Sequence, residues 1–276
     1  MNQKKKVTAV FDNLAWDGSW EKLYKGRIDR TTYNFMSRFR AVEELLGSCV
    51  EGEILDVGCG TGDLLPLIIQ KTGNYYGVDI SSKMIERANV RFADAIKKNV
   101  ASFHIADCDM LPFNDMKFNL AIAVGLIEYL PDPSLFLKEV RRILVNDGYF
   151  LVTVPYKECI NLKIRKGLLP IIQKLYPVYA KFKNQSLSQM TNVRHYSYNE
   201  NDLDNSMKAI NFHRVDACYT NFHIIPHPID HLFPELYIKI SESIDRGRKG
   251  IKFKKFASNY IALFQKKPMD GSERIN

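Results

Sequence analysis

Three glycines at alternate positions lie between two acidic residues in the stretch Asp56-Val-Gly58-Cys-Gly60-Thr-Gly62-Asp63. A short apolar run precedes this stretch and a helical pattern follows it. Glycines at such a turn let the backbone approach a ligand, which then meets the free N–H groups of the helix start. Asp63 stands where a dinucleotide fold needs its third glycine, and no Gly-Lys-Ser/Thr follows as in a P-loop. The spacing predicts a site for a nucleoside-type ligand without phosphates, and the alternative is a tight turn without function.

An acidic residue ends the next apolar run of the chain. Asp79 lies 17 positions after Gly62 and directly before Ile80 and Ser81. In doubly wound α/β folds, an acid at the end of the second strand binds ribose hydroxyls. Asp79 is therefore predicted to hold a ribose, and it also fits a second role in capping the helix that starts near Ser81.

The elements that must position these residues follow from the alternation of strand-like and helical patterns between residues 50 and 155. Helices are expected over 64–71, 81–98 and 133–145, the last of them capped by Asp132. Continuously apolar strands separated by helices are typical of a parallel sheet covered on both faces. The expected strands are 53–57, 74–79, 100–106, 118–124 and 149–154, followed by 212–219 and 256–265.

Composition is typical of an ordinary folded protein. The 276 residues carry a net charge of +8, and 46% of them are hydrophobic. The longest apolar run, 120–127, is far shorter than the ~20 residues that span a bilayer. The basic start of the chain leads into no apolar segment, and its five cysteines lie at least ten positions apart. We therefore expect a cytoplasmic protein without a secretory signal, a disulfide framework or a cysteine metal site.

Five stretches in order resemble the motifs of the class I S-adenosylmethionine-dependent methyltransferases. ILDVGCGTG is similar to the first motif, and YYGVDIS, IADCDMLPF, NLAIAVGLIEYLPDP and LKEVRRILVNDGYFLVTVP follow it. The small-molecule group related to quinone biosynthesis (methyltransferase type 11) is the most similar. The resemblance implies an α/β fold with a doubly wound, seven-stranded, mostly parallel, Rossmann-like sheet, N-terminal helices and a helical cap after the fifth strand.

The same resemblance divides the chain into five segments. They are an N-terminal helical lid (1–48), an S-adenosylmethionine-binding core (49–155), a helical cap insert (156–198), the C-terminal part of the sheet with a substrate-side insert (199–267), and a flexible tail (268–276).

The cofactor implied by the resemblance is S-adenosylmethionine, with S-adenosylhomocysteine as its product, and no metal is implied. In that family an arginine before the core binds the cofactor carboxylate, the glycine turn lines the methionine part, and the end of the fourth strand faces the amine. Acids after the second and third strands take the ribose hydroxyls and the adenine amino group. Here Arg38 (or Arg40) corresponds to the arginine, and Val124 and Gly125 to the end of the fourth strand. Asp79 and Asp107 correspond to the two acids, with Ile80 and Cys108 beside the adenine. The glycine turn consists of Gly58, Gly60 and Gly62, with Asp56 beneath it.

The residues predicted to act on the methyl acceptor lie mostly outside this core. An acceptor hydroxyl, nitrogen or carbon acid must lose a proton, so a general base can assist. His195 is the candidate base, and packing or capping at its loop is the alternative. Glu128 and Tyr129 face the acceptor mouth in this fold and are candidates to orient a substrate hydroxyl. Tyr129 replaces a histidine that many quinone-pathway relatives carry, which weakens any argument for the same reaction.

A basic segment, 161–183, follows the core. It has two interpretations: a helical pair that closes the active site, or an amphipathic cap that touches a membrane and admits a lipid-like acceptor. Pro170 and Pro177 would break a long interfacial helix, which favours the helical pair. The same charges suit an anionic acceptor. They belong to Lys163, Arg165, Lys166, Lys174, Lys181 and Lys183.

The features together predict an enzyme that transfers a methyl group to a small-molecule acceptor, at a hydroxyl oxygen, by in-line displacement. Three alternatives stay open: a lipid- or quinone-like acceptor at a membrane, methylation of nucleic acid, and a non-catalytic S-adenosylmethionine-binding protein. The basic charge permits nucleic acid, but no D/N-P-P-Y/F-type motif follows the fourth strand. The predicted partner is therefore a small molecule and not a nucleic acid, with peripheral membrane contact through 161–183 left open.

Overall fold

The computed structural model describes residues 3–16, 20, 30–47, 51–69, 74–160, 163, 193–224, 233–245 and 251–268. The strands are β1 Ile54–Val57, β2 Tyr75–Asp79, β3 Ala101–Ile105, β4 Phe118–Ala123, β5 Leu144–Pro155, β6 Phe212–Phe222 and β7 Ala257–Lys266. The helices are α1 Gln3–Trp16, α2 Arg30–Leu46, α3 Leu65–Ile68, α4 Ser82–Arg91, α5 Ala93–Lys97, α6 Ser134–Ile143, α7 Glu200–Lys208 and α8 Pro234–Asp245. Short 3-10 helices cover Ile127–Tyr129 and Ile251–Phe256.

The strands form one seven-stranded sheet in the order β3-β2-β1-β4-β5-β7-β6. The pairs among β1 to β5 are parallel, whereas β7 runs antiparallel to both β5 and β6. This arrangement confirms the predicted doubly wound, mostly parallel α/β fold.

Helices cover both faces of the sheet because its central strands are apolar on both sides. Ile54 and Leu55, successive residues of β1, are fully buried in two different core clusters. Successive side chains of a strand point to opposite faces, so each cluster is one layer of the core. The α6 side chains at helical spacing fill one layer and those of α4 join the other. They are Phe136, Leu137, Val140 and Ile143 from α6, and Ile85 and Ala88 from α4.

Several element boundaries differ from the predicted ones. The helix expected over 81–98 is two helices that meet at Phe92, whose ring stacks on Phe103 with the centroids 5.9 Å apart. The first helix, α1, lies within the predicted N-terminal helical lid (1–48), although its bounds were not predicted. The fifth strand starts at Leu144, five residues early, because Leu144 pairs with Phe118 of β4. Of the expected cap insert 156–198, the structure describes 156–160, 163 and 193–198.

Strand register brings the chemical residues to one edge of the sheet. Val57 at the end of β1 pairs with Val78, next to Asp79 at the end of β2. Asp56 pairs with Ile122 on the other side, so the residues after β4 lie beside the same turn. The carboxyl ends of parallel strands are where ligands bind in open α/β sheets. Among the described residues, none of the helices combines the length and the apolar content that crossing a bilayer requires.

Candidate functional site

The glycine turn after β1 is held against the end of β2 by backbone hydrogen bonds. The N–H groups of Gly58 and Cys59 donate to the carbonyl of Val78 at 2.7 and 3.0 Å, and Gly60 N–H donates to Oδ2 of Asp79 at 3.0 Å. Gly58 and Gly60 have φ of +76° and +54°, the left-handed region that favours glycine. A Cβ on Gly60 would meet nothing closer than the Trp20 ring at 3.7 Å. At Gly60 the turn therefore presents bare backbone to the space below the Trp20 ring, whereas a Cβ on Gly58 would meet Leu126 at 3.2 Å.

Gly62 has a different role from its predicted one. A Cβ at this position would stand 2.8 Å from Phe92 and 2.9 Å from Phe103, well inside van der Waals contact. Gly62 is not among the residues that line the cavity described below. The third glycine thus lets the turn pack on two aromatic rings, and the expectation that it lines a ligand is not met.

A cavity lies at the carboxyl edge of β1, β2 and β4 and encloses about 1160 Å³ between atoms, including its opening to solvent. Small-molecule sites are usually clefts of roughly 300–1,000 Å³ at such places. Twelve of the predicted site residues line the cavity: Arg38, Asp56, Gly58, Gly60, Asp79, Ile80, Asp107, Cys108, Val124, Gly125, Glu128 and Tyr129. Gly62 and His195 do not line it, and neither does Arg40, the alternative to Arg38.

Buried acids give the floor of the cavity a strong preference for positive charge. The pKa of the Asp56 carboxyl is raised from 3.8 to about 7, mainly by burial and also by the nearby Asp79 and Asp63 carboxylates. The Tyr75 hydroxyl, which donates to Asp56 at 2.6 Å, opposes the rise. Burial also raises the pKa of Asp79, although its oxygens accept backbone N–H groups from Gly60 and Ser81. A cationic ligand beside these acids would stabilise their ionised forms.

The first helix, α1, closes the side of the cavity near Asp107. Lys4 donates from Nζ to both oxygens of Asp107 at 2.7 Å and also to Asp109. Asp107, Cys108 and Asp109 bring metal-ligand atoms within 4.8 Å of one another, but Lys4 already forms ion pairs with both carboxylates and offsets one of their two negative charges. Asp107 therefore faces the cavity as predicted, with a lysine partner that was not.

Residues of α1 are site residues that sequence reasoning missed. Lys4, Val7 and Phe11 line the cavity. A signal was present, since Val7, Val10, Phe11 and Leu14 recur at the spacing of one helical face. Three lysines directly before Val7 make the start of this apolar pattern hard to recognise in the sequence.

Asp63 is a second missed residue, and it anchors an aromatic wall. Its Oδ2 accepts the indole N–H of Trp20 at 2.9 Å, and Arg91 forms an ion pair with its other oxygen. Trp20 packs edge-on against Phe11 and Phe35, with centroids 5.6 and 6.1 Å apart. Asp63, which stands where a dinucleotide fold needs its third glycine, thus holds the Trp20 ring over the glycine turn. Tyr24, a second aromatic residue of the predicted lid (1–48), lies outside the described residues.

Arg38 and Glu128 flank the end of β4. A Cβ on Gly125 would stand 3.4 Å from Nη1 of Arg38 and 3.6 Å from Oε1 of Glu128. Arg38 lies over the Phe35 ring at 4.9 Å, and Glu128 is only 8% exposed. Burial raises the pKa of Glu128, and the Arg38 charge opposes that rise.

Tyr129 and His195 meet at the outer end of the cavity. Their ring centroids are 4.8 Å apart, and Tyr129 also packs edge-on against Phe11 at 5.5 Å. Tyr129 is buried, which raises the pKa of its hydroxyl, whereas His195 is exposed. The backbone N–H of Tyr196 donates to the carbonyl of Glu128 at 2.8 Å and ties the two segments together.

The remaining histidines do not join this group in the described part of the chain. His223 lies against Tyr237, with its Nδ1 3.3 Å from the Tyr237 hydroxyl, and His104 is on β3 beside Ser102. His227 and His231 lie outside the described residues.

Comparison with known proteins identifies the domain that carries this site. Residues 55–152 match the family model described as a methyltransferase domain. The sterol 4-C-methyltransferase of Caenorhabditis elegans is 33% identical over 98 residues, which are 36% of this chain and 29% of that protein. The ubiquinone/menaquinone biosynthesis C-methyltransferase of Citrifermentans bemidjiense is 30% identical over 131 residues, 46% of this chain and 52% of that protein. The chain thus spans about half or less of the length of these relatives.

A solved structure shares the fold over nearly the whole chain. Magnesium protoporphyrin IX methyltransferase from Synechocystis PCC 6803, crystallised with bound S-adenosylhomocysteine, superposes with a TM-score of 0.64 at 17% identity, covering 95% of this chain and 99% of that one. The family match, the order of the seven strands and the glycine turn at the cavity agree. Residues 55–152 of this chain therefore form a methyltransferase domain.

Proposed function

We propose that this protein is an S-adenosylmethionine-dependent methyltransferase that acts on a small molecule and releases S-adenosylhomocysteine. The observation that carries the proposal is the cavity itself, in which a bare glycine turn, buried acids and an arginine converge at the carboxyl edge of the sheet. When bound, S-adenosylmethionine supplies a methyl group on a positively charged sulfur.

The residues present fit this cofactor. Asp56 and Asp79 are buried acids with raised pKa values, an environment that favours a ligand carrying positive charge. Nε of Arg38 is buried without a hydrogen-bond partner, so a carboxylate would satisfy it. Each oxygen of Asp79 accepts one backbone N–H and keeps a lone pair for a ribose hydroxyl. Ile80 and Cys108 line the side that would hold the adenine.

The chain would contribute mainly by positioning. Alignment of an acceptor in line with the bond that breaks can supply about 7–11 kcal/mol. The aromatic wall of Phe11, Trp20 and Phe35 excludes water on one side, and the turn that carries Tyr129 bounds the other.

For the acceptor we infer a hydroxyl oxygen next to Tyr129. Tyr129 would orient this hydroxyl, and His195, whose ring is tilted against that of Tyr129 with the centroids 4.8 Å apart, would take its proton from the rim of the cavity. Because His195 is exposed, it can pass the proton on to solvent. General-base assistance of this kind contributes typically 10²–10⁴-fold.

A small molecule is favoured over nucleic acid by the cover over the site. Among the described residues, helix α1 and the Trp20 ring line the cavity and cover part of it, which suits a small acceptor better than a nucleic-acid strand. The similar proteins named above include sterol, quinone-pathway and porphyrin methyltransferases, which also favours a small acceptor. A lipid-like acceptor at a membrane is the second candidate, and of segment 161–183 only Lys163 lies within the described residues.

Two measurements test the proposal. Calorimetric titration with S-adenosylhomocysteine should show one site, and Asp79→Ala should abolish it. Transfer of labelled methyl groups from S-adenosylmethionine should then be followed with pooled metabolites, liposome-extracted lipids and total RNA as separate acceptors. Label in the water-soluble metabolites supports the proposal. Label in RNA alone, or unchanged binding by Asp79→Ala, would overturn it.

A further inference from the structure

Glu128 carries a buried carboxylate oxygen that the proposed function leaves without a partner. Its Oε2 is buried and accepts no hydrogen bond from any described residue. A buried polar atom without a partner is costly, and a buried carboxylate more so. Such a group in a cavity wall indicates a ligand atom that completes it.

Arg38, which borders the same gap beside Gly125, has a buried hydrogen-bond donor that lacks an acceptor. Its Nε is also buried without a hydrogen-bond partner. Within the described part of the chain, no ion pair joins Arg38 to Glu128, although both have atoms within 3.6 Å of the point where a Cβ on Gly125 would stand. Opposite charges that face one gap without closing it leave room for a ligand that carries both charges on adjacent groups.

Local structure holds Glu128 in this place. The 3-10 helix Ile127–Tyr129 carries it, and its carbonyl accepts the Tyr196 N–H at 2.8 Å. Gly125, at the end of β4, has φ of +72° and donates its N–H to Oγ1 of Thr153 at 2.9 Å. The glycine is required because a side chain there would fill the gap between the two charges.

We propose that Glu128 binds the ammonium of the cofactor's α-amino-acid end, beside the carboxylate that Arg38 is already expected to bind, so that the two residues form a clamp for a zwitterion. This inference rests on the proposed function. It assigns Glu128 to the cofactor and not, as expected from its place in the sequence, to the acceptor hydroxyl. An α-amino acid carries its ammonium and carboxylate on one carbon, which matches two opposite charges around one gap.

The test is a thermodynamic double-mutant cycle in which the Glu128 carboxylate and the amine of the ligand are removed singly and together. Wild type and Glu128→Gln are titrated calorimetrically with S-adenosylhomocysteine and with 5′-S-(3-carboxypropyl)-5′-thioadenosine, which keeps the carboxylate and lacks the amine. We expect removal of the amine to weaken wild-type binding about 10-fold to 100-fold, as for a charge-assisted hydrogen bond. In Glu128→Gln the two ligands should bind within about threefold of each other. Glu86→Gln, the same change at an exposed glutamate, should behave as wild type.

Each failure has its own signature. Equal binding of the two ligands by wild type would overturn the clamp even if the variant did not fold. An unchanged preference for the amine in Glu128→Gln would overturn it as well, and a loss of kcat with intact S-adenosylhomocysteine affinity would return Glu128 to the acceptor side. If wild type bound neither ligand, the proposed function itself would fail.

Discussion

Asp56 makes the stability of this protein depend on pH in an unusual direction. Its carboxyl is 2% exposed, and its pKa is raised from 3.8 to about 7 by burial and by the neighbouring acids Asp79 and Asp63. The folded protein therefore keeps a proton on Asp56 between pH 4 and 7, where the unfolded chain has lost it. Stability falls with rising pH wherever the folded state binds more protons. The free energy of unfolding is thus higher at pH 4 and falls as the pH rises, until the effect of Asp56 is complete at about pH 7 to 8.

The change that tests this reasoning is Asp56→Asn. About three pKa units at 1.36 kcal/mol each give a penalty on the order of 4 kcal/mol in the wild type at pH 8. Asparagine carries no charge and can still accept the hydrogen bond that Tyr75 donates at 2.6 Å. We expect the variant to be more stable than the wild type by about 1.6 kcal/mol at pH 5, which is about 1.2 pH units above the unfolded pKa, and by up to about 4 kcal/mol at pH 8.

Denaturant unfolding, followed by circular dichroism at several pH values between 5 and 8.5, measures this difference directly. Asp132→Asn is the matched control, because Asp132 is an exposed aspartate whose pKa is lowered by hydrogen bonds from Ser134. Its curve should parallel the wild type across this range. If Asp56→Asn also ran parallel to the wild type, the raised pKa and the acid-based preference for a cation would both be refuted. Ligand affinity should fall in the stabilised variant, since a fixed negative charge has been removed from the cavity.

Three further predictions concern the turn, the cover and the base. Gly62→Ala should lower the free energy of unfolding by about 2–4 kcal/mol in thermal unfolding, because the new methyl group overpacks against two phenylalanine rings and the backbone is strained. Gly60→Ala should lower it by only about 1 kcal/mol and chiefly weaken S-adenosylhomocysteine binding. Equal losses of stability would contradict these separate roles. Lys4→Gln should speed S-adenosylhomocysteine release in stopped-flow fluorescence and make the release rate less sensitive to salt. The reason is that ion pairs with Asp107 and Asp109 hold α1 over the cavity. Unchanged rates would show that α1 does not control release of the ligand. His195→Ala should lower kcat at least 100-fold and remove the acidic limb of its pH profile, and full activity across pH would exclude His195 as the base.

The sequence alone was sufficient for the fold and for twelve of the 26 residues that line the cavity. Strands that are apolar on both faces can only be buried between two layers of helices, so their alternation with helices predicted the doubly wound sheet. The parallel topology then brings every strand's carboxyl end to one edge. Asp56, Asp79 and Gly125 could be placed there because each lies within two residues of the carboxyl end of a strand. Local order along the chain was enough for these residues.

Tertiary structure decided everything that depends on side chains from distant segments. Gly62 was grouped with the ligand glycines, but Phe92 and Phe103 are 30 and 41 positions away in sequence and only packing shows that they occupy its space. Lys4 meets Asp107 across 103 positions for the same reason. The opposed charges of Arg38 and Glu128 depend on where α2 docks relative to β4. Periodicity reports which face of an element is buried, and it carries no information about which other element covers that face.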